Sequence, residues 1–124
     1  MEKHRLSFGE LLKHEADLAE VIVDDGLEMN MEMVEEYHHW IREHLASPCA
    51  LLINKINKYT YTFEAQEKIA TEPSIRAMAV ITYSNMSRVT TEGLVDVPRE
   101  IQWNIKIFGS RSKGFDWLKE QLAQ

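Results

Sequence analysis

The chain has 124 residues, 44% hydrophobic and 27% charged, an ordinary composition for a globular domain able to bury a core. Its formal net charge of −6, with no basic block, argues against a nucleic-acid binder, because polyanions are held on basic surfaces. No apolar run reaches membrane-spanning length, and Met1-Glu2-Lys3-His4-Arg5 lacks the apolar core of a signal peptide, so one cytoplasmic domain over residues 1–124 is expected.

In chain order, Leu6 to His14 reads as a strand, bent or broken at Gly9. Leu18 to Val23 reads as a second strand, and the short Glu15-Ala16-Asp17 link makes the two antiparallel. Asp24-Asp25-Gly26 is a turn signal. Asn30 then offers an N-cap for a helix whose Val34, Tyr37, Ile41 and Leu45 form one apolar stripe, with Trp40 at its margin and Ser47-Pro48 closing it.

Ala50 to Ile56 is apolar nearly throughout, as expected of a strand buried on both faces. Thr62 caps the next predicted helix, which carries Phe63, Gln66, Ile69 and Ala70 on its packed side and ends before Pro73. Ile75 to Tyr83 is a fourth strand. Asn85 or Ser87 starts a weaker helix with Met86, Val89, Gly93 and Val97 on one face. Ile101, Trp103, Ile105 and Ile107 alternate with polar residues, predicting a half-buried edge strand that could pair two copies into a homodimer. Ser110 or Ser112 caps a last helix with Phe115, Leu118 and Leu122. Strand–strand–helix followed by three strand–helix pairs predicts an α/β fold: a mixed sheet of about five strands with a parallel core and an antiparallel N-terminal strand, covered by about four helices.

No enzyme motif is present. Gly-x-Ser-x-Gly is absent, the five glycines are scattered rather than gathered into a phosphate loop, and no cofactor site is indicated. Cys49 is the lone cysteine, expected as a buried, inert thiol. His38, His39 and His44 do not share a helix face, and Glu35-x-x-His38 has no second copy, so solvated or edge histidines are expected in place of metal ligands. Met29, Met31 and Met33 cluster beside the first helix and read as packing around it.

The order of elements resembles the STAS domain and its SpoIIAA-like relatives. The closing stretch Ile105-Lys106-Ile107-Phe108-Gly109-Ser110-Arg111-Ser112-Lys113-Gly114-Phe115-Asp116-Trp117-Leu118 is similar to that family's last strand, polar turn and Trp-Leu helix. The resemblance implies a non-enzymatic regulatory module acting through a protein partner. It also implies, in the branch that antagonises anti-sigma factors, a phosphorylated Ser or Thr at the helix start after the third strand. The matching positions are Thr60 and Thr62, but Tyr59-Thr60-Tyr61-Thr62 replaces the family's Asp-Ser-Ser/Thr-Gly run, and Glu64 and Glu67 would oppose a phosphate there. SpoIIAA-like proteins further resemble lipid-binding Sec14-type domains, which makes an apolar small-molecule ligand the alternative expectation.

Loops after parallel strands gather on one sheet edge. That rule assembles a candidate contact rim from Asp24 and Asp25, from Asn57, Lys58, Tyr59, Thr60, Tyr61 and Thr62, and from Ser84, Asn85, Ser110 and Arg111. Each of its Ser, Thr, Asn and Asp residues is equally suited to capping a helix or forming a turn.

Overall fold

The computed structural model describes residues Met1–Gln124. Its elements are β1 (Glu2–Leu6), β2 (Gly9–Glu15), β3 (Leu18–Val23), β4 (Glu28–Met29), α1 (Met31–His44), β5 (Cys49–Asn54) and β6 (Thr60–Tyr61). They continue with α2 (Phe63–Lys68), β7 (Ile75–Ile81), α3 (Asn85–Val95), β8 (Ile105–Phe108) and α4 (Arg111–Leu122). The main sheet has six strands in the order β1-β2-β3-β5-β7-β8, where about five were expected, and β4 and β6 form a separate small parallel pair. β2 is antiparallel to both its neighbours, and β3, β5, β7 and β8 are parallel.

The crossovers from β3 to β8 all step across the sheet in one direction. Connections of a single hand then carry α1, α2 and α3 over the same face. There Val21, Leu51 and Met78 pack with Val34, Tyr37 and Ile41 of α1 and Ala65 of α2 in a core of 17 buried residues. The other face carries a smaller core of seven: Leu18, Ala50, Leu52, Ala77, Ala79, Ile81 and Leu118. Only α4 covers it. The helix lies close because Gly114 faces the sheet, where a Cβ would come within 2.6 Å of Ile81 Cδ1.

Several predicted elements change on inspection of the fold. The segment read as one strand broken at Gly9 is a hairpin, with Ser7 and Phe8 at the turn and Phe8 fully buried. Trp40, beside the stripe, packs into the core at 4% exposure, with His4 and His44 against its ring. Phe63 stands in solvent at 80% exposure, not on the packed side of α2. Ser84, rather than Asn85 or Ser87, caps α3, accepting the Ser87 amide at 3.1 Å. The predicted strand over Ile101–Ile107 shrinks to Ile105–Phe108 at the sheet edge. Trp103 lies before it, its indole donating to the Ala70 carbonyl at 3.1 Å.

α3 turns a different face to the sheet from the one its spacing predicts. Met86 and Val89, expected to pack, are 75% and 54% exposed, whereas Thr91 is the helix's one buried residue. A short, polar-tipped side chain fills little space. The result is a gap between α3 and the sheet.

Candidate functional site

The gap opens beside the loop after β5. Its conformation is set by the Asp24–Gly26 turn, where Gly26 takes the left-handed φ of 75° that favours glycine. The Gly26 amide donates to the Lys58 carbonyl at 2.6 Å, and the Lys58 amide to Asp25 Oδ1 at 2.9 Å. The Asn57 side-chain amide reaches the Val23 carbonyl at 3.0 Å. Held in this way, the chain pairs Thr60 and Tyr61 with Glu28 and Met29, and strand alternation sorts the side chains. Thr60 points to solvent, while Tyr59 and Tyr61 turn inward with ring centroids 5.6 Å apart.

The cleft behind them is floored by sheet residues such as Val21, Ile53 and Met78 and roofed by Ile69, Thr91 and Leu94. Of its 17 lining residues 15 are hydrophobic, and its empty volume is about 500 Å³, part of it open to solvent. The inner part is narrow, and the outer groove between Tyr59, Tyr61, Gln66 and Leu94 is wider. Arg99 braces the roof, donating to the carbonyls of Gln66 (2.8 Å) and Leu94 (2.9 Å) with its guanidinium 3.6 Å from the Trp103 ring centroid.

Two polar groups in this apolar space lack partners. Tyr37 is 3% exposed, lines the cleft, and its hydroxyl makes no hydrogen bond. Burial pushes its pKa well up, as it does that of Tyr59, and raises that of Tyr61, so all three stay neutral phenols. Lys55 lines both the inner cleft and the outer groove and is the only charged residue in either. Burial lowers its ammonium to about 8, and its nearest stabilising group is the Tyr59 ring, 5.3 Å from Nζ. No carboxylate lies within ion-pair distance of it.

An unsatisfied buried hydroxyl costs about 1–3 kcal/mol. Tyr37→Phe is therefore expected to raise the unfolding free energy of the empty protein by about 1 kcal/mol in urea titrations. A variant less stable than wild type would mean that the hydroxyl has a partner in the empty protein.

The remaining rim residues go elsewhere. Thr62 is the N-cap of α2, accepting the Ala65 amide at 3.2 Å, which occupies one of the two hydroxyls considered for phosphorylation. Ser84 caps α3, and Asn85 accepts from Arg88 at 2.9 Å. Ser110 caps α4, and Arg111 turns under the sheet to the opposite face. There Glu20, 1% exposed, accepts from Arg111 Nε at 2.9 Å and from Asn54 Nδ2 at 2.9 Å, with His14 Nε2 also 2.9 Å away. Tyr83 donates to Asn54 Oδ1 at 2.8 Å and completes the network. Desolvation opposes the Glu20 charge, but the bonds from Arg111, Asn54 and His14 outweigh it and hold the carboxyl down at about 2. Glu20 stays ionised at neutral pH, which suits a structural tie better than a proton-transfer role.

Cys49 is fully buried, and burial raises its thiol pKa. Among the histidines, the His38 side chain is 12% exposed, with Nε2 unpartnered. No group of three or more His, Cys, Asp or Glu is placed to hold a metal ion, and no helix is long and apolar enough to cross a membrane.

The rim thus divides into a cleft-side segment, Asn57 to Thr62, and an opposite-face tie through Arg111. Spacing puts Tyr37 in the apolar stripe of α1, and Lys55 falls near the end of the run from Ala50 to Ile56; nothing in local spacing joins them. The signal for Lys55 was available, as a lone charge at the end of an apolar strand. The chain matches no family model, no curated protein and no solved structure, so the site is interpreted from its own geometry.

Proposed function

We propose that the chain is a non-catalytic, STAS-like binding module of the cytoplasm that holds an apolar small molecule between its sheet and helices α1–α3. The observation that carries this reading is the apolar cleft with the unpartnered Tyr37 hydroxyl buried inside it. Ligand sites combine apolar walls with a few convergent polar groups, and Tyr37, Tyr59, Tyr61 and Lys55 supply those groups here. Apolar area removed from water supplies the affinity, at about 25 cal/mol per Å². Native mass spectrometry of freshly purified protein is expected to show a mass above that of the chain, lost on denaturation. A bare mass, together with no uptake of an apolar fluorescent probe, would sink the reading.

A second reading, docking of a protein partner, draws on a separate observation. Ile56, Phe63, Tyr83 and Met86 are all more than half exposed, and all lie in loops or helix starts that follow parallel strands. Large exposed apolar side chains gathered at one edge suit an interface. Under this reading a Phe63→Ser/Met86→Ser variant loses a partner that wild type captures from the native host, with its thermal stability unchanged.

A further inference from the structure

We infer that the molecule held in the cleft carries a single negative charge, a carboxylate, paired with the Lys55 ammonium at the cleft's outer end. This rests on the binding-module reading above and specifies its ligand.

Three observations carry it. Lys55 is the only charged residue lining the cleft and its groove, and it has no ion-pair partner in the protein. Lys55 is half-buried, and an ammonium partly withdrawn from water loses hydration that an opposite charge restores. The cost of leaving it unpaired shows in the downward displacement of its pKa, to about 8. A ligand carboxylate supplies the missing counter-charge.

Second, the charge is one rather than two. The other nearby cation, Arg99, lines neither the cleft nor the groove; its two terminal nitrogens go to the carbonyls of Gln66, Leu94 and Val95, its guanidinium stacks on the Trp103 ring, and its buried Nε alone is unpartnered. No amide cradle or second basic side chain lines the groove, so a phosphate dianion would be left half-neutralised.

Third, the shape orders the molecule. The narrow inner cleft is apolar and suits a slender hydrocarbon, while the wider outer groove holds Lys55 with Thr60, Gln66 and Thr90 around it. Head outward and tail inward is the orientation that keeps a carboxylate partly hydrated.

The test compares octanoate, octan-1-ol and methyl octanoate by calorimetric titration into the full chain. Octanoate is expected to bind at least about tenfold more tightly than the other two, the equivalent of about 1.4 kcal/mol. Lys55→Met is expected to abolish that preference while still binding the alcohol, and Lys55→Arg is expected to retain it. Equal affinities for acid, alcohol and ester in wild type overturn the head-group inference and leave the apolar cleft standing. Preference for the acid that survives in Lys55→Met overturns the role of Lys55. Binding of none of the three overturns the binding-module reading itself.

Discussion

Replacing Arg111 with methionine is expected to lower the unfolding free energy by about 2–3 kcal/mol at pH 7. The substitution keeps the aliphatic bulk and removes the guanidinium that lies against Glu20, a carboxylate buried at 1% exposure. Asn54 and His14 remain as partners, which keeps the loss at the low end of what breaking a buried pair costs.

The same network predicts acid sensitivity. The Glu20 carboxyl titrates near 2 when folded, against 4.5 as its ordinary value. Its stabilisation is therefore fully present above about pH 4.5 and is lost as the pH falls towards 2. The displacement corresponds to about 3 kcal/mol, reduced to about 2 because the Arg111 side chain is 47% exposed and solvent screens it. Urea midpoints measured from pH 6 down to pH 2 should fall steeply in wild type and more gently in Arg111→Met. Parallel pH profiles for the two proteins would show that the pair contributes nothing.

Leu118→Ala is expected to cost about 3–4 kcal/mol, near the upper part of the range for buried leucines. Leu118 is fully buried and is the one residue that α4 contributes to the seven-residue core. The backbone of α4 already approaches the sheet closely at Gly114, so the helix cannot settle inward to fill the space. A loss below about 1.5 kcal/mol would mean that α4 re-seats, visible as altered near-ultraviolet signals from Trp117.

How much of this was legible from residues alone depended on whether one periodicity governed a segment. β3, β5 and β7 are apolar runs bounded by turn signals, and the caps at Asn30, Thr62 and Ser110 use side-chain oxygens where those residue types are expected. The parallel core and the antiparallel start followed from them. β1 did not, because Glu2-Lys3-His4-Arg5 is charged. An edge strand tolerates such residues, and charge is one way edges avoid further pairing. β4 and β6 are two residues each, too short for any pattern to register.

The site was less legible because its parts are distant in sequence. Tyr37 on α1 and Lys55 beyond β5 both line the cleft, and although Lys55 is a lone charge at the end of an apolar strand, nothing in local spacing joins the two. Met86 and Val89 at helical spacing pointed to a packed face on α3. Tertiary structure instead turned Thr91 inward, and the unfilled space became the cleft. Glu20 was a visible anomaly in Leu-Ala-Glu-Val-Ile-Val. Its partner Arg111 is 91 residues further on, beyond the reach of local spacing.

The sheet's two faces are closed at different moments of synthesis. The helices over the larger core are interleaved with its strands, so that face acquires cover as the strands appear. The smaller core waits for α4, which follows β8, the last strand, in the chain. At translation rates of about 5–20 residues per second, Leu52, Ala79 and Ile81 stay uncovered on the nascent chain for at least about a second after β7 is made. During that interval the chain presents a bare apolar sheet face, the form of exposed surface that chaperones engage.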